Sequence, residues 1–132
     1  MIAVALVADS GPALEAMTRS LAALPGVDIV RHCHGHTRIG AGLKRCAPDL
    51  VLIDEMHWPR LALKRLDEVR EVLPQARVVV RAARPDASWL ADALRAGASA
   101  VVPATAGPET LGLILQEVIS DRSDSHPTQV AA

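Results

Sequence analysis

Two hydrophobic periods alternate along this chain. Runs of strand length, Ile2 to Ala8, Val27 to His32, Leu50 to Ile53, Arg77 to Arg81 and Ser99 to Val102, are separated by segments whose apolar residues recur every three or four positions. The first run is continuously apolar, as expected of a strand buried on both faces, and Leu14, Met17, Leu21 and Leu24 follow it at helical spacing. Pro25-Gly26 stops that helix. Ile39 and Leu43 mark the buried side of a helix over Thr37 to Cys46. Leu63, Leu66, Val69 and Leu73 define the third helix, with Pro74 just beyond it. Three consecutive valines make Arg77 to Arg81 the clearest central strand. Leu90 and Leu94 lie on the next helix, which Gly97 ends, and Pro108 opens a last helix carrying Leu111, Ile114, Leu115 and Val118.

Five strand and helix units in alternation predict a doubly wound, flavodoxin-like α/β fold. Its five-stranded parallel sheet has order 2-1-3-4-5, with helices on both faces. The chain has 132 residues, enough for one domain with a core of its own. From Ser120 the sequence turns polar and loses its period, so residues 1–121 are read as the domain and 122–132 as a tail or the start of a linker.

Composition narrows the function. Half the residues are hydrophobic, 22% are charged and the net charge is −1, so no basic field exists to hold a phosphate backbone. Direct binding to nucleic acid is not expected; DNA would be reached only through an output domain that this chain lacks. No apolar run approaches the roughly 18 residues that span a bilayer, and the N-terminus lacks a signal-peptide pattern, so a cytoplasmic protein is expected. Cys33 and Cys46 show no disulfide framework and are read as reduced thiols.

In an open parallel sheet, chemistry collects beyond the carboxyl ends of the strands. Asp9 ends the first strand and Asp54 the third, and order 2-1-3-4-5 makes these strands neighbours. Two carboxylates in one crevice suit a hard cation such as Mg²⁺; alternatively each Asp caps the helix that follows it.

PDLVLIDEM, with Asp54 after an aliphatic run, resembles the phosphoacceptor strand of the response-regulator receiver family. VVVRAA and LRAGASAVVPA resemble that family's fourth and fifth strands. The likeness runs from Ile2 to about Asp121 and is greatest to receivers that precede LuxR-type (NarL-type) DNA-binding domains. It implies a CheY-like fold, Asp54 as phosphoacceptor, and Asp9, Asp54 and the Met56 carbonyl as Mg²⁺ ligands. It also implies a histidine kinase as phosphoryl source.

Several family positions are degenerate. Ala8 stands where the family has a second acid, Ala82 where it has the switch hydroxyl, Val101 where it has an aromatic switch residue and Ala104 where it has the lysine. Losing that lysine removes the fixed cation that would face a phosphoryl dianion, and losing the acid weakens the Mg²⁺ site. The expectation is an atypical receiver, or pseudo-receiver. It would regulate through a protein partner or through a homodimer built on helix 4, strand 5 and helix 5, with no enzyme activity and no required cofactor. Weak phosphorylation of Asp54 and small-ligand sensing in the crevice are the alternatives.

Other residues invite weighing. His32, His34 and His36 crowd one loop and could ligate zinc or copper if it were extended; a solvated loop is the simpler reading. Trp58 and Trp89 are the only aromatic residues apart from histidine, and Trp89, on the fourth helix, is the better candidate for a partner face. Arg81 and Arg84 flank the end of the fourth strand and could hold an anion in the absent lysine's place.

Overall fold

The computed structural model describes residues 1–56, 58–84, 86–120 and 128–129. Strands β1 (Ile2–Val7), β2 (Val27–Cys33), β3 (Leu50–Asp54), β4 (Arg77–Ala82) and β5 (Ala100–Pro103) alternate with helices. These are α1 (Pro12–Ala22), α2 (Gly40–Cys46), α3 (Pro59–Val72), α4 (Ala87–Arg95) and α5 (Pro108–Ser120). The five strands pair in parallel in the order 2-1-3-4-5, as the alternating pattern predicts. A two-residue strand β6 (Thr128–Gln129) adds to the outer edge of β5, opposite Ala100 and Val101. This departs from an aperiodic tail, since backbone pairing needs no hydrophobic period. The remaining tail residues, 121–127 and 130–132, and with them the boundary drawn at 121, lie outside the described residues.

Side chains alternate across each strand, so the sheet splits the core in two. Val4, Leu6, Leu50, Leu52, Val79, Ala100 and Val102 face Met17 and Leu21 of α1 and Leu111, Leu115 and Val118 of α5. Ala5, Val7, Val51, Ile53, Val78, Val80 and Val101 face Leu43 of α2, Leu66 and Val69 of α3 and Ala93 of α4. With no phenylalanine or tyrosine in the chain, the core is built mainly of Ala, Val and Leu.

The second helix is shorter than its periodicity suggests, because Thr37 and Arg38 remain outside it. Its N-terminus is capped from a distance: the Glu68 carboxylate of α3 accepts from the Ile39 and Gly40 N–H groups at 3.1 to 3.4 Å. Arg65, one turn earlier and buried, donates to Glu68 at 3.2 Å and from Nε to the Gly35 carbonyl at 2.6 Å. The β2–α2 loop is thereby fastened to α3. Among the described residues, no helix is long and apolar enough to cross a membrane.

Candidate functional site

Strand alternation decides what meets in the crevice. Asp54 follows Leu52 on the face covered by α1 and α5, and Arg81 follows Val79 on the same face. The two are direct partners in the β3–β4 register. Asp54 is only 7% exposed, and its Oδ1 accepts from the Arg81 guanidinium at 2.9 Å. A second guanidinium nitrogen of Arg81 donates to the Ala104 carbonyl at 3.2 Å, so one side chain ties the ends of β3, β4 and β5 together. The other carboxylate oxygen of Asp54 accepts from the Met56 N–H at 3.2 Å.

Around this pair lies a cleft of about 630 Å³, lined among others by Asp9, Ser10, Gly11, Met56, Ala83 and Ala104. Asp9 and Asp54 therefore do share one crevice. Asp9 does not cap α1, whose N-cap is Gly11 without a side-chain bond. Its carboxylate instead accepts from His36 Nε2 at 2.9 Å. Met56 sits at φ 57, in the left-handed region, where a side chain is costly; its side chain packs so closely over Gly35 that any Cβ there would collide with the sulfur. Glu55 also lines the cleft, where its Oε1 accepts from the Ala83 N–H at 2.6 Å.

Of the positions read as degenerate, Ala8, Ala82 and Ala104 fall at strand ends and Val101 lies within β5. Ala8, Ala82 and Val101 are buried. Ala104 donates its N–H to the Ala82 carbonyl at 2.8 Å while its own carbonyl receives Arg81. Asp54 has a cation beside it, because Arg81 supplies one from the neighbouring strand. An arginine directly after three buried valines of β4 was the sequence clue to this role. Arg84 is exposed and does not line the cleft.

A Mg²⁺ ion fits this arrangement poorly. Its two carboxylates are each already engaged by a donor, and a fixed guanidinium beside Asp54 repels a dication. Among the described residues, no three His, Cys, Asp or Glu side chains are grouped to hold a metal. That includes the histidine loop. His32 Nε2 goes to the Ala8 carbonyl at 2.9 Å, His36 goes to Asp9, and His34 packs edge-on against the His32 ring.

Trp89 is part-buried against the α2–α3–α4 side of the core, and its indole N–H donates to the Pro59 carbonyl at 3.1 Å. That bond directs its indole toward α3. Trp58, at the start of α3, is 57% exposed. Cys33 and Cys46 are free thiols, and burial pushes Cys33 above its ordinary pKa.

Comparison with solved structures fixes the architecture. A LuxR-family two-component response regulator from Aurantimonas sp. SI85-9A1 superposes with a TM-score of 0.82 at 20% identity, over 92% of this chain and 87% of that one. The signal receiver domain of the response regulator NarL from Mycobacterium tuberculosis gives 0.73 at 23% identity, over 92% and 98%. This chain has the receiver fold. The same fold is matched in the pilus assembly protein CpaE from Burkholderia thailandensis, with a TM-score of 0.75 at 19% identity over 92% and 100% of the two chains. A shared fold therefore does not fix the function. No family model matches the chain, and no curated protein does.

Proposed function

We propose that this chain is an atypical receiver domain of a response regulator, signalling through protein contacts rather than through an acyl-phosphate on Asp54. One observation carries the reading: Arg81 occupies the crevice and neutralises Asp54 at 2.9 Å. In a working phosphoacceptor the carboxylate oxygen must be free to attack phosphorus while a metal shields the incoming charge. Here the nucleophilic oxygen is already bonded, and the site has no switch hydroxyl at Ala82 to follow a phosphoryl group. An arginine held by Asp54 and by the Ala104 carbonyl favours one fixed arrangement of the strand ends.

The natural setting for such a module is the regulatory part of a transcription regulator, with DNA contacted by a separate output domain. Neither catalysis nor a metal cofactor enters this role.

Intact-mass measurement after incubation with acetyl phosphate, with and without Mg²⁺ and beside Asp54→Ala, tests it. The expected spectrum shows no phosphoryl adduct under either condition. A Mg²⁺-dependent adduct lost in Asp54→Ala would restore a phosphoacceptor role, with a histidine kinase as the donor.

A further inference from the structure

The only aromatic residues besides histidine, Trp58 and Trp89, line one shallow groove between α3 and α4. Its volume is about 850 Å³, and Pro59 and Leu63 line it with them. Trp89 is held in place by its bond to Pro59, whereas Trp58 leaves a large apolar surface in water. Tryptophan is enriched where interfaces draw their energy, and a rigid ring costs little entropy to bury.

The charges flanking this groove are self-complementary. Both helices follow parallel strands onto the same face of the sheet, so they run in the same direction, and the Trp89–Pro59 bond ties their first turns together. The α3 wall carries Arg60, Lys64 and Asp67 and the α4 wall Asp86 and Asp92; Arg95, in the last turn of α4 and outside the groove lining, donates to Asp92 at 2.8 Å. Counted from Pro59 and Ala87, the first residues of the two helices, Lys64 and Asp92 are both sixth and Asp67 and Arg95 both ninth. Lys64 thus stands level with Asp92, and Asp67 with Arg95. A two-fold axis lying along the groove places α3 of one copy against α4 of its partner, and every one of these pairs then meets its opposite.

We propose that the α3–α4 face is a self-association surface whose occupant is a second copy of this chain. The tryptophans stack near the axis, and the charged walls set the register. This specifies the partner within the reading of the chain as a contact module, but on a face different from helix 4, strand 5 and helix 5. Its test is independent of the phosphoryl-adduct experiment.

Sedimentation velocity on the full chain across a concentration series decides it. The expected result is a reversible dimer whose Kd rises about tenfold or more in Lys64→Asp and in Asp92→Lys, each of which opposes like charges. The double variant exchanges the signs and returns Kd to within about threefold of the parent, and Trp58→Ser weakens association about thirtyfold, a hot-spot effect. All three substituted positions are exposed, and circular dichroism checks the folding of the variants. A chain that stays monomeric up to about 1 mM, or a dimer indifferent to the charge reversals, would overturn the proposal.

Discussion

Removing Arg81 should cost far more than its position at the rim of a strand suggests. Arg81→Met keeps much of the aliphatic volume but leaves the Asp54 carboxylate, whose side chain is 10% exposed, facing a cleft without its cation. Breaking a fully buried pair from one side costs about 3–5 kcal/mol; because the Arg81 side chain keeps 19% exposure, about 2–4 kcal/mol is expected here. For a domain of this length that corresponds to a fall in Tm of about 10 °C. Urea titrations followed by circular dichroism and by tryptophan emission measure the loss and check that unfolding is two-state. A double-mutant cycle isolates the pair, because Asp54→Leu with Arg81→Met removes both charges together and should recover most of the loss. If Arg81→Met costs under about 0.5 kcal/mol, or if the two substitutions add without coupling, then Arg81 is not the counter-ion of Asp54 and the reading of the crevice fails.

Glu68→Ala strips the acceptor from two N–H groups at the start of α2 and leaves the buried Arg65 without its carboxylate, for an expected loss of about 2–4 kcal/mol in the same urea assay. Glu68→Gln keeps an acceptor in place and should lose clearly less. The thiols should separate by reactivity. Burial raises the pKa of Cys33, so less of it is thiolate at pH 8, and iodoacetamide should label Cys46 first by intact mass. The sign of the pH effect follows from the same shift. Cys33 stays protonated in the fold above the pH at which the unfolded thiol ionises, so stability falls as pH rises past about 9, and Cys33→Val should flatten that fall.

The architecture was legible in the sequence because burial on both faces leaves a local mark. Leu50 to Ile53 and Val78 to Val80 must be apolar at every position, whereas a helix covering them needs apolar residues only every third or fourth. Once five such units alternate, right-handed crossovers follow, and the order 2-1-3-4-5 is that of the flavodoxin-like fold which the chain resembles. The same reasoning placed Asp9 and Asp54 at neighbouring strand ends, and both do line the crevice.

What each polar side chain does there depends on residues far away in the chain. Asp54 meets Arg81 because β3 and β4 pair in one register, 27 residues apart, and a shift of one position would send Arg81 to the opposite face of the sheet. His36 reaches Asp9, and Trp89 reaches Pro59, only because loops and helices from different units close over the same side. Hydrophobic period records which face of an element is buried, and that is a property of each segment by itself. Partner choice among charged side chains is a property of the packed whole, so the tertiary structure decided that the cation beside Asp54 comes from β4.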